Sequence, residues 1–268
     1  MPRETDPPIL RAKHPDQPSQ FTADGLLREA RRQKGVPDAP IPRVCVLDPD
    51  GDVVRRLRAE GRAEPEPAWA CYHSEMDRFT LAGEPCGIVG CAVGAPYAVL
   101  VAEQMAASGC ELVLSVTSAG QLSAVQDPPY HVLIDRALRD EGTSYHYLPA
   151  DAESAADPAL VEMAGGALAE MAPPVLRGAT WTTDAPFRET EPAIAAAQAR
   201  GVMAVEMEAA GLYAFARATG TPVLCFAHVT NQMAQVEGDF EKGEAEGTSA
   251  TLNLLARVVA AWARARQR

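Results

Sequence analysis

The sequence predicts a three-layer αβα domain built on a central mixed, mostly parallel sheet. Two observations predict it. From residue 43 onward, short apolar runs of strand length alternate with segments of helical periodicity, and such alternation calls for a largely parallel or mixed sheet with helices on both faces. The glycine-, serine- and acid-bearing stretches follow directly on the apolar runs. They therefore fall at the carboxyl ends of strands, where open α/β sheets bind ligands.

The first 42 residues differ from the rest, with eight prolines and one helical segment, Ala23–Lys34, stopped by Gly35. They read as an extension that packs across the domain or onto a neighbouring subunit, with a loose tail as the alternative. Residues 43–268 read as the domain proper. Residues 43–47 form a strand, followed by a helix from Val53. The strand 86–93 leads into a helix over 96–108 that ends at Gly109. Residues 111–117 form a strand that ends in a Ser/Thr/Gly turn, and 130–134 and 178–183 are further strands. Asp157 caps a helix over 158–171 with Pro158 in its first turn. The strand 201–205 runs into a helix over 207–219. Residues 222–229 form a last strand and Thr248–Arg266 a last helix.

Composition bounds the function. An apolar share of 47% over 268 residues suits one large α/β domain with a sizeable core. A net charge of −12 argues against nucleic-acid or anionic-membrane partners, and mildly against recruiting a dianion such as phosphate. Six cysteines sit mostly in apolar runs without a Cys-x-x-Cys pair, as reduced core residues do. No apolar stretch has membrane length, and no basic-apolar leader opens the chain. The expected setting is the cytoplasm.

The most informative stretch is residues 201–212, an apolar strand meeting a helix with Glu206 and Glu208 at the junction. A helix starting near Met207 puts Glu208 on one face with Leu212, Phe215 and Ala216. That face points into the core, where a carboxylate is costly unless something pairs with it. A ligand's pair of hydroxyls would serve. The alternative is that both acids simply face the positive end of the helix.

The run Ala204-Val205-Glu206-Met207-Glu208-Ala209-Ala210 resembles the strand–helix junction of the nucleoside phosphorylase superfamily, which includes purine nucleoside phosphorylases, uridine phosphorylases and methylthioadenosine nucleosidases. The resemblance implies that Met207 and Glu208 hold the ribose, Glu208 through its vicinal hydroxyls, with Glu206 beside them. Three further segments resemble the family in the same order. Residues 91–96, with Val93 and Gly94, match the second strand's exit, where glycine lets the chain turn close to substrate. Residues 115–120, with Ser118, match the third strand's exit, which supplies phosphate and ribose contacts. Residues 182–189 match the segment carrying an aromatic that stacks on the base, here Phe187, for which plain core packing is the alternative.

The implied reaction is cleavage of an N-glycosidic bond through an oxocarbenium-like transition state. Glu208 orients the sugar and stabilises the developing cation. Purine-cleaving members place an aspartic acid where this chain has Asn231, after Thr230. An amide cannot protonate a leaving ring nitrogen, but it can hydrogen-bond a carbonyl or ring nitrogen. Uridine phosphorylases also lack an acid there. The implied substrate is a small-molecule nucleoside, with no cofactor or metal. A homo-oligomer is implied too, with its sites near subunit contacts.

The resemblance breaks at the phosphate cradle. The family's first-loop glycine falls on Asp48, its first-loop arginine on Asp52 and its third-strand arginine on Ser115. One misplaced charge at about 6 Å, with an effective dielectric of about 20, opposes an anion by roughly 3 kcal/mol. Arg78 or a partner subunit's arginine is the available compensation. Phosphorolysis by a nucleoside phosphorylase-like glycosyltransferase remains the first reading, with phosphate as co-substrate in question; a phosphate-independent nucleoside hydrolase and a non-catalytic nucleoside-binding protein are the rival readings. The acids of the same loop do not make a calcium site, because Ala59 stands where the closing glutamate belongs. His73 and His146, in polar settings, are candidates to reach a sugar 5′-hydroxyl. Residues 237–246 read as an acidic surface loop or lid with Lys242 inside it.

Overall fold

The computed structural model describes residues 7–11, 13–151, 153–233 and 237–267. Its elements begin with α1 (Ala23–Lys34), β1 (Val44–Asp48), α2 (Asp52–Ala59), β2 (Glu64–Pro65), β3 (Asp77–Leu81), β4 (Glu84–Gly90), α3 (Ala95–Ala107) and β5 (Leu112–Gln121). They continue with β6 (Tyr130–Asp140), β7 (Glu153–Ala155), α4 (Pro158–Leu168), β8 (Leu176–Thr183) and α5 (Glu191–Ala199). The chain closes with β9 (Val202–Glu206), α6 (Ala209–Thr219), β10 (Val223–Asn231) and α7 (Thr248–Arg266).

β1 and β10 are buried at every position, as strands covered on both faces must be. β1 pairs in parallel with β4 and β5, and β5 in parallel with β10. β6–β8 and β8–β9 are also parallel. The antiparallel ladders are mostly shorter and join β2–β3, β3–β4, β6–β7, β6–β10 and β5–β9. The sheet is thus mixed with the longer ladders parallel, as expected. One feature was not expected. The order β10-β6-β8-β9-β5 closes on itself, because β5 and β10 pair as well. Five strands form a ring, from which β1, β4, β3 and β2 extend as a wing.

Helices flank this sheet. α6 packs on α3 through Gly211, where an added Cβ would lie 2.8 Å from the Cβ of Ala95. α7 buries Leu254, Leu255, Val258 and Val259 completely, each contributing roughly 1.5–3 kcal/mol. Asp157 caps α4, its Oδ1 accepting from the amides of Ala159 (2.7 Å) and Leu160 (3.3 Å). In the amino-terminal segment, α1 ends at Gly35 with φ 66°, and its Leu27 and Ala30 are buried with Ala70. Lys13 reaches Nδ1 of His146 at 3.1 Å. No helix among the described residues is long and apolar enough to cross a membrane.

β5 runs past the turn expected after residue 117, to Gln121, and β6 extends beyond the expected 130–134, to Asp140. α6 starts at Ala209 rather than Met207. The carboxyl ends of β1, β4, β5 and β10 point the same way, and Gly120 at the end of β5 pairs with Val205 of β9. These ends carry the expected site.

Candidate active site

β9 delivers Glu206 opposite Thr182 of β8. Glu206 Oε1 accepts from the hydroxyls of Thr180 (3.1 Å) and Thr182, and Oε2 accepts from the amides of Glu208 and Ala209, both at 2.7 Å. Thr182 Oγ1 in turn accepts from Ala210 N at 2.9 Å. Both oxygens are therefore spent inside the protein. Burial raises the pKa, and these hydrogen bonds oppose the rise. Glu206, expected beside the substrate, ties the strand to the first turn of α6 and satisfies amides that a helix start leaves open.

That bracing sets the position of Glu208. Because α6 begins at Ala209, two residues later than expected, Glu208 is not on a helical stripe. It points inward from the capping position, with φ −129° and ψ −39°. Only 1% of it is exposed. Oε1 accepts from Gly94 N at 2.7 Å, while Oε2 has no hydrogen-bond partner among the described residues. Burial first, and then the charge of Glu206, push its pKa up to about 8 against the pull of the Gly94 amide and nearby Thr117. Gly94 holds φ 86° and ψ 145°, a conformation open to glycine but strained for other residues. That turn aims its N–H at the carboxyl group. An orphan oxygen on a buried acid is an expensive arrangement, and two alcohol donors from a ligand would complete it.

The loop after β1 faces β5. Asp50 accepts from Ser118 N (3.1 Å) and Ser118 Oγ (2.9 Å). Asp48 Oδ2 accepts from Val54 N at 2.9 Å, and burial raises its pKa to about 6. Asp52 pairs with Lys242 and Arg55, which together hold its pKa low against the opposing effect of burial. Ser115, where the resemblance puts an arginine, is buried with a hydroxyl that has no partner among the described residues. Arg78 is engaged elsewhere, by Glu66 at 2.6 Å.

At the end of β10, Thr230 and Asn231 are buried. Asn231 Nδ2 donates to Thr230 Oγ1 (3.2 Å), and its Oδ1 accepts from Met233 N (2.9 Å), so the amide is held in one orientation. Beyond it the acidic segment folds back. Asp239 accepts from Gln232 N at 2.9 and 3.0 Å, Glu241 N donates to Thr230 O at 2.7 Å, and Lys242 reaches Asp52. This strap lies over His228, which stacks on His131 at 4.5 Å between centroids. Burial lowers both imidazoles, His131 to about 3 and His228 to about 4, so both are neutral. Sequence reading missed this pair. The residues lie far apart in the chain and meet only through the β6–β10 register.

Val93 is half exposed, Met207 is partly buried and Phe187 is 98% exposed. Core packing of Phe187 is thereby excluded. His73 accepts from Tyr97 Oη through its backbone oxygen. A hollow of about 770 Å³ lies elsewhere, between α4, the end of α6 and Trp262 of α7. Its lining is mainly apolar and lacks the convergent buried acids of the Glu208 region. No cluster of metal-ligating side chains occurs among the described residues.

Residues 43–261 match the family described as the phosphorylase superfamily. Among solved structures, a uridine phosphorylase from Vibrio fischeri ES114, complexed with 6-hydroxy-1-naphthoic acid, is similar with a TM-score of 0.68. The two sequences are 19% identical over 84% of this chain and 91% of that one. No curated protein matches the sequence.

Proposed function

The chain belongs to the phosphorylase superfamily, and on that premise we propose that it cleaves the N-glycosidic bond of a nucleoside, with Glu208 gripping the vicinal hydroxyls of the ribose. The observation that carries this reading is the state of Glu208: buried, bonded on one oxygen to Gly94 and unpartnered on the other. Before substrate arrives, burial favours the neutral carboxyl. Two sugar hydroxyls donating to it favour the anion instead. The carboxylate then sits beside a sugar that gains positive charge as the base departs, so its interaction strengthens toward the transition state.

The other residues take supporting roles. Met207 and Val93 pack against the sugar, Ser118 and Thr230 offer polar contacts, and Phe187 covers the base from the surface. Asn231, held by Thr230 and Met233, hydrogen-bonds the base. It cannot supply a proton to a purine ring nitrogen, which favours a base that leaves without an acid at that point. The chemistry needs no cofactor. The family premise also favours a homo-oligomer.

The test is incubation with a panel of purine and pyrimidine nucleosides while free base is followed by chromatography. Release of base from at least one member supports the proposal. Saturable binding without release would make the protein a nucleoside-binding module instead.

A further inference from the structure

An anion acceptor needs donors and positive charge, and around the loop 48–52 both are already committed. The amide and hydroxyl of Ser118 donate to Asp50 at 3.1 and 2.9 Å. At the start of α2, the amide of Val54 donates to Asp48. Lys242 and Arg55 are paired with Asp52, and Arg56 donates to Thr248 and Ser249 at 2.8 and 2.6 Å. His228, at the same place, is neutral.

Size agrees with charge. The cavity among Asp48, Asp50, Asp52, Ser118, His228 and Glu246 holds about 20 Å³. A single water needs roughly 10–15 Å³ and two to four polar partners. The cavity is of the size that suits one water.

We infer that water, not phosphate, accepts the ribosyl group in this protein, and that Asp50 is the specificity determinant, a built-in anion seated on the Ser118 donors. The inference rests on the proposed cleavage at Glu208 and names its acceptor. The step balances without another reactant. The bond from the sugar's anomeric carbon to the base nitrogen breaks with its electron pair going to nitrogen. A carbon–oxygen bond forms from water, and a proton from that water ends on the departing base. The products are free ribose and free base.

Two measurements test this, one with substrate and one without. In the first, wild-type protein releases base in phosphate-free buffer, millimolar phosphate changes the rate by less than about twofold, and the sugar product is reducing ribose. Release that requires phosphate, or formation of ribose 1-phosphate, overturns the inference. In the second, the melting temperature is followed against inorganic phosphate. The wild type is expected to show no shift, whereas Asp50→Ala, with the Ser118 donors uncovered, rises by a few degrees. A phosphate shift in the wild type, or none in a folded Asp50→Ala, overturns the role of Asp50. Should Asp50→Ala fail to fold, the wild-type arms decide alone. Should no nucleoside be cleaved, the Glu208 reading fails, and the thermal arm still decides whether this loop excludes phosphate.

Discussion

Replacing Glu208 by glutamine keeps the side chain's shape and removes the charge that burial resists. The sign of the effect follows from its pKa. In the unfolded chain the carboxyl titrates near 4.5, and in the folded protein near 8. Between those values the unfolded state has lost a proton that the folded state keeps, so the wild type loses stability as pH rises through this window and levels off above it. Glu208→Gln escapes that loss. Its stability gain should be near zero at the lower limit and grow to the order of a few kcal/mol at the upper one, read by thermal unfolding at both pH values. A gain that ignores pH would contradict the account. The acid at 208 was legible in the sequence as an inward carboxylate. The role of Glu206 was legible only in part: the helix-start alternative covers its bonds to the Glu208 and Ala209 amides, whereas the hydroxyls of Thr180 and Thr182 come from one distant strand, β8. Nothing in its own segment announces them.

At the level of elements, the turn between β4 and α3 is held by backbone geometry. An added Cβ on Gly94 meets only Pro96 Cδ, at 3.8 Å, so Gly94→Ala tests conformation rather than crowding. It should cost about 1–3 kcal/mol and move the amide away from Glu208; unchanged stability in chemical denaturation would show that the turn is unstrained. The strap over His228 is the second element. Lys242→Ala should cost about 1 kcal/mol, since the pair is partly exposed. It should also speed proteolytic cutting within residues 237–247, and an unchanged cleavage pattern would mean that Lys242 does not hold the strap. Elements with strong apolar patterns, such as β1, β10 and α7, were legible from sequence. α5 was not, because it buries only Ala197 and carries no apolar stripe. The strap was read as a surface loop or lid, but its hold on Asp52 lies in one lysine among acids.

For the whole molecule, the ring of β5, β10, β6, β8 and β9 explains why one end of the sheet gathers the site. Closure depends on pairings between distant segments, which local periodicity cannot encode; the sheet with flanking helices was foreseen and its ring was not. The proposed homo-oligomer predicts a light-scattering mass at least twice the 28.5 kDa of the chain, and a monomer at all concentrations would contradict it. The central claim is the grip of Glu208 on a sugar. Its most direct test compares base release by the wild type and by Glu208→Ala on the best nucleoside of the panel, with circular dichroism to confirm the fold. The account predicts release by the wild type and a loss of about two to three orders of magnitude in the folded variant. A variant that works at nearly the wild-type rate would contradict it.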